Sequence, residues 1–287
     1  MSSHGTFSLQ LVNQVIDELG KGYRKDSAMF PNFARKGKDY ATLCTCSLVS
    51  KRWSSRSRMH IFKTVRIHGD KDQPTIAPPP SILPYVKDLE IHYDYGSQKS
   101  TKGNPLEGFL KAFATSPIEY LKITSGALAD QRTCIREFID VNSTTLRTVK
   151  FNLCSFSPHN ISDIVLEPHR IQSLHLVDAG EWAPSRGNLS PAVDEQTPGS
   201  CPKLSEVELC ISGGDPLEGP VGIAMMVAHL PCQFRKLDVE HVAAGEGAPE
   251  ATNALLKANA AALSSLRVRI CAGMCGKFGS GTFLTVV

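Results

Sequence analysis

The chain has 287 residues, is 41% hydrophobic and 21% charged, and carries a net charge of +3. That length supports one large domain or two smaller ones, and the apolar fraction excludes wholesale disorder. The longest apolar stretch, residues 221–230, falls short of the roughly 20 residues a membrane span requires, and Asn13, Gln14, Asp17 and Glu18 interrupt any apolar signal core near the N-terminus.

In chain order, Leu11, Val12, Val15, Ile16 and Leu19 recur at helical spacing, with Ser8 placed to cap the helix. Residues 20–38 then carry Lys21, Arg24, Lys25, Arg35, Lys36 and Lys38 against Asp26, and read as a solvated basic insert, with contact to an acidic partner as the alternative. A second apolar segment, Tyr40 to Val49, leads into Ser50-Lys51-Arg52-Trp53 and a basic stretch that ends at His60-Ile61-Phe62. Three short helices in such a span enclose a thin core, and a unit of that kind often needs a partner over its remaining apolar face. Residues 1–70 hold 12 Lys/Arg and 5 Asp/Glu, a net +7, whereas the remainder holds 19 and 23, a net −4. The basic N-terminal part suits an acidic protein or a nucleic acid.

Beyond it one pattern recurs: apolar, two residues, apolar, one residue, apolar. It reads Val86-x-x-Leu89-x-Ile91, Ile118-x-x-Leu121-x-Ile123, Leu146-x-x-Val149-x-Phe151, Ile171-x-x-Leu174-x-Leu176, Leu204-x-x-Val207-x-Leu209, Phe234-x-x-Leu237-x-Val239 and Leu263-x-x-Leu266-x-Val268, with Phe62-x-x-Val65-x-Ile67 as an earlier copy. Middle residues lie 24 to 33 apart, the period of a strand-and-return repeat array. Each copy predicts a strand with one buried face. Leu106, Phe109, Leu110 and Phe113, then Ile135, Phe138 and Ile139, the run Val221 to Leu230, and Ala251 to Leu263 predict helical returns. Residues 183–201, with Pro184, Pro191 and Pro198, predict an exposed loop. The tail Thr282–Val287 either adds an edge strand or marks an array that ends early. An ordinary α/β sheet whose strands share a buried pattern is the alternative to a repeat array.

Residues between the last two anchors of each copy fall on the opposite strand face: Lys122, Lys150, His175, Glu208, Asp238 and Arg267. Solenoids offer such a face as an extended binding surface. These residues predict a binding face for a protein of complementary charge, with mere solvation of the strands as the alternative.

Signals of bond chemistry are weak. Cys44-x-Cys46 points to opposite sides of a helix, and Cys271 and Cys275 have no second pair to complete a metal site. Gly276-Lys277 lacks the spacing and the Ser/Thr of a phosphate loop. The nine cysteines, odd in number and irregular in spacing, read as reduced structural thiols. Asn142, Asn160 and Asn188 open sequons that read as chance matches. No catalytic residue, metal or cofactor is expected.

Phe7, Ser8, Gln10, Leu11, Val12, Val15 and Leu19, followed by Val49-Ser50-Lys51-Arg52-Trp53 and Phe62, resemble an F-box motif. With the repeats behind it, the chain resembles F-box proteins carrying irregular leucine-rich repeats. Ser8 and Phe7 stand where that motif has proline and leucine. The resemblance implies an α/β fold in two parts, an F-box-like helical unit at 1–62 with its insert at 20–38, and a curved strand–helix solenoid at 63–287. It implies a substrate-recognition adaptor of a Skp1–cullin–F-box ubiquitin ligase, binding Skp1, and through it a cullin–RING ligase, by Phe7, Leu9, Leu11, Val12, Val15, Val49 and Trp53. A protein substrate would lie on the repeats. The implied place is the cytoplasm or nucleus, with no enzyme activity, no membrane and no nucleic acid. A repeat-based protein-binding scaffold independent of Skp1 is the alternative.

Overall fold

The computed structural model describes residues 9–29, 38–69, 78–93, 105–127, 132–155, 171–177, 204–212, 224, 227, 234–242, 248–271 and 282–286. The loop expected at 183–201 and most of the apolar run at 221–230 lie outside them; of that run Ala224 and Val227 are described, both helical and buried. Two compact units divide the chain. The first takes in the described residues up to Val65 together with Pro78–Leu89 and Thr115–Pro117, and the second takes in the rest.

The first unit holds α1 (Leu9–Met29), α2 (Lys38–Val49) and α3 (Lys51–Ile61). Val12 and Ile16, one helical turn apart on α1, meet Leu43 of α2 and Ile61 of α3 in a small core, with Leu19, Tyr40, Cys44, Trp53 and Phe62 packed around it. Helix α1 does not stop at Leu19. It runs through Met29, so the first part of the basic segment is helix rather than loop. Glu18 and Lys21 bridge at 2.6 Å on that helix, a pair at the spacing that supports helices.

The second unit is built on a sheet of nine strands, and the first residues of β1 and β2 are counted with the helices. The strands are β1 (Thr64–Gly69), β2 (Asp88–Tyr93), β3 (Tyr120–Ala127), β4 (Thr148–Ser155), β5 (Ser173–Val177), β6 (Glu206–Ser212), β7 (Lys236–Val242), β8 (Ser265–Cys271) and β9 (Thr282–Val286). They lie side by side in chain order, and from β3 to β8 each pairs parallel with the next. Parallel neighbours need a crossover, which is why long returns separate the strands. The returns include α4 (Pro105–Ala112) and α5 (Arg132–Val141) on either side of β3, and α6 (Ala248–Asn259) before β8. Strand β9 closes the order antiparallel to β8, so the tail adds a strand.

Register explains the spacing of the repeat. Leu121, Val149, Leu174, Val207, Leu237 and Leu266 are cross-strand partners in one row; Ile123, Phe151, Leu176, Leu209, Val239 and Val268 form the next. The β3–β7 members of both rows are buried, as are Leu106, Phe109, Leu110 and Phe113 around α4 and Ile135, Phe138 and Ile139 on α5. One hydrogen-bond figure recurs before each of the strands β4 to β8. The carbonyl of Glu119 accepts from Arg147 and Thr148 N–H, that of Arg147 from Gln172 and Ser173, that of Gln172 from Ser205 and Glu206, that of Ser205 from Arg235 and Lys236, and that of Arg235 from Ser264 and Ser265. Each copy is thereby seated on the one before.

Two buried asparagines make a second tie. Asn142, just after α5, accepts from Ile118 N–H at 3.4 Å and donates to Phe138 carbonyl at 3.1 Å. Asn259, the last residue of α6, accepts from Phe234 N–H and donates to Leu255 carbonyl, both at 2.8 Å. Each amide joins the end of a return helix to the first anchor of the preceding copy. Both the oxygen and the nitrogen of the Asn142 side-chain amide, the first residue of a sequon, are therefore engaged inside the protein.

Candidate partner surfaces

On α1 the apolar stripe is wide enough to serve two directions. Val12 and Ile16 turn into the core, while Leu11 and Val15, also one turn apart, stand 48% and 53% exposed. Val15 and Leu19 border a shallow depression together with Gln14 and Glu18. Helices α2 and α3 are separated by Ser50 alone, whose hydroxyl accepts from Trp53 N–H at 3.3 Å and caps α3. That elbow holds Leu48 and Val49 in solvent, 86% and 58% exposed. Met59 of α3 is a further exposed aliphatic side chain of this unit.

The residues expected to meet Skp1 therefore divide. Leu11, Val15 and Val49 are at the surface, Val12 is in the core, and Trp53 is half-buried against the core. Leu9 opens α1, and Phe7 lies outside the described residues. Leu48 and Met59 are not among the residues expected at a partner surface, and only their place at a helix end and on an outer turn distinguishes them from core residues.

A charged clamp joins α1 to α3. Arg56 donates to both carboxylate oxygens of Asp17, from Nε at 2.8 Å and Nη2 at 2.5 Å, and His60 Nε2 lies 2.9 Å from Asp17 Oδ1. The Arg56 guanidinium, aided by His60 and opposed by partial burial, lowers the Asp17 pKa to about 2. A lowered carboxylate pKa contributes stability that is present above the unfolded value of 3.8 and lost as pH falls through about 2. The helical unit is accordingly expected to lose stability across that window, and Asp17→Asn to flatten the loss; acid titration followed by circular dichroism checks both.

Beside the clamp, a Cβ on Gly20 would run into the His60 ring at Nδ1. Helix propensity alone favours Gly20→Ala by about 1 kcal/mol. Overpacking against a ring already held by Asp17 costs about 1–3 kcal/mol, so the net effect is expected to be destabilising. Chemical denaturation of this variant reads the sign.

In the second unit, the outward residues form one row by register: Lys122 beside Lys150, then His175, Glu208, Asp238 and Arg267. The structure brings all six together on one face. Their charges are largely spent on one another. Glu208 meets His175 and Lys150, the latter at 3.8 Å, and Asp238 meets Arg267 at 3.4 Å. The Lys150 contact reaches past β5, about 10 Å of sheet. One row over, Glu206 accepts from Ser173 at 3.1 Å and lies 3.7 Å from Lys236. On β1 and β2, Arg66 bonds Glu90 at 2.9 Å. The basic and acidic strands thus neutralise each other across the face. Lys122 alone in the six-residue row has no partner among the described residues.

Elsewhere, burial and then the Glu107 carboxylate push the Cys134 thiol up to about 11, far from a reactive thiolate. Among the described residues, no group of three or more His, Cys, Asp or Glu is placed to hold a metal ion, and no helix is long and apolar enough to cross a membrane. No family model matches this sequence, and no curated protein matches it.

Proposed function

We propose that this chain is the substrate-recognition adaptor of a Skp1–cullin–F-box ubiquitin ligase. In this reading the first unit binds Skp1 and the second is a curved, leucine-rich-repeat-like strand–helix solenoid that holds a protein substrate. The observation that carries it is the split stripe of α1, with Leu11 and Val15 left exposed while Val12 and Ile16 close the core. A small unit that keeps aliphatic side chains in water has surface to give to a partner. The Val49-Ser50-Lys51-Arg52-Trp53 motif supports it physically: Ser50 caps α3, Trp53 packs on the core, and Val49 is presented at the elbow. Strands laid down in chain order, with β4 to β8 each seated on the one before by the same bonds, support a solenoid.

The chain then does no bond chemistry. It raises the effective concentration of substrate lysines near the ubiquitin carrier, in the cytoplasm or nucleus. Co-expression with Skp1 tests the reading: wild-type chain is expected to co-purify with Skp1, and absence of a complex would refute it. A Skp1-independent scaffold is favoured by two features, Ser8 in place of proline and the run of α1 through Met29. The same co-purification separates the two readings.

A further inference from the structure

We propose that the outer sheet face recognises an acidic residue of an otherwise near-neutral protein segment, and that Lys122 is the side chain that takes its carboxylate. This rests on the reading that the sheet face holds a protein substrate, and adds the chemistry of what is held. The middle outward position of the copies on β1 to β8 reads Arg66, Glu90, Lys122, Lys150, His175, Glu208, Asp238 and Arg267.

His175 apart, this series holds four cations and three carboxylates. Each carboxylate is engaged: Glu90 by Arg66, Glu208 by Lys150 and His175, and Asp238 by Arg267. Lys150 leans toward β6 and away from β3, and Glu90 on the adjoining strand β2 is held by Arg66 at 2.9 Å, which leaves Lys122 with no ion pair among the described residues. The surplus cation is half-buried on its strand between Tyr120 and Thr124.

The surroundings decide which anion fits. A polyanion such as nucleic acid tracks a run of cations. Here Glu90 on the adjoining strand, and Glu208 and Asp238 three and four strands from Lys122, about 14–19 Å away, would oppose a continuous phosphate backbone. One carboxylate flanked by uncharged residues meets the cation without reaching Glu208 or Asp238, and the Glu90 charge is offset by Arg66. A segment crossing the strands offers that arrangement.

The test uses phage-displayed random dodecapeptides selected on the full-length wild-type chain and on Lys122→Glu, with selected peptides then synthesised and measured by fluorescence anisotropy. Wild-type selections are expected to share an acidic residue at a fixed position. Changing that residue to Gln should weaken binding about fivefold, the upper range for a solvent-facing ion pair. Changing it to Lys should restore binding only to Lys122→Glu. Lys122→Gln guards against misfolding: with an unchanged melting curve it should show the same loss as the peptide Gln variant. Selections with no shared acidic residue, peptide binding indifferent to Lys122, or tighter binding of a single-stranded oligonucleotide that also depends on Lys122 would each overturn the proposal. Skp1 co-purification by the Lys122→Glu chain is a separate readout, so failure of the adaptor reading and failure of this one are distinguishable.

Discussion

Asn259→Ala is expected to lower unfolding stability by about 2–3 kcal/mol, whereas Asn253→Ala on the same helix leaves it unchanged or slightly raised. The amide of Asn259 is buried and makes two bonds of 2.8 Å, to Phe234 N–H and Leu255 carbonyl. Truncation leaves the Phe234 N–H without its acceptor in the core, and an unsatisfied buried donor costs about 1–3 kcal/mol in addition to the lost bonds. Alanine's better helix propensity returns about 0.5 kcal/mol, which does not offset that. At exposed Asn253 only the propensity gain remains. Asn142→Ala should cost less, about 1–2 kcal/mol, because its bond to Ile118 N–H is longer at 3.4 Å. Urea denaturation of the three variants orders them. Equal midpoints for Asn259→Ala and Asn253→Ala would show that the asparagine does not tie the copies together.

The same acidic substitution placed three residues apart on α1 is expected to give opposite outcomes. Val12 packs with Ile16, Leu43 and Ile61, and Val12→Asp would bury a carboxylate with no cation to meet it in that core. A penalty of about 3–5 kcal/mol exceeds what a small helical core spares, so the helical unit unfolds. Val15 is 53% exposed, and Val15→Asp exchanges one residue of middling helix propensity for another in water. Leu11→Asp places a carboxylate in the first turn of a helix that carries none there, which the helix dipole favours by a few tenths of a kcal/mol. Limited proteolysis and circular dichroism distinguish the outcomes. A folded Val12→Asp chain would contradict the placement of the core.

Much of this arrangement was legible in the residues, for physical reasons. The anchors Leu121, Val149, Leu174, Val207 and Leu237 are apolar because parallel strands bury them, and alternation then puts Lys122, Lys150, His175, Glu208 and Asp238 on the other face. Alternation does not report how far a long side chain leans. The reach of Lys150 past β5 to Glu208 turns a seemingly segregated charge pattern into a neutralised one.

Helical periodicity placed Leu11, Val12, Val15 and Ile16 on one stripe, yet nothing in a stripe that wide says which edge turns inward. That depends on where Leu43 and Ile61 arrive from distant sequence. Gly20 resembles a helix stop and is instead a point of close approach to His60. The Asp17–Arg56 clamp joins residues 39 apart, a separation at which no local signal exists. Asn142 and Asn259 had a faint signature, an asparagine four residues before Leu146 and Leu263, the first anchors of their copies. It becomes informative only once the amides are seen to bond the preceding copy.

The adaptor reading stands or falls on Skp1 capture by the exposed edge of α1. Co-expression of Skp1 with the wild-type chain and with the Leu11→Asp, Val15→Asp double variant, followed by affinity purification and size-exclusion chromatography, measures it directly. A stable complex is expected with the wild type, and its loss in a double variant that keeps wild-type circular dichroism. No complex with the wild type, or an equal yield of complex with the folded double variant, would contradict it.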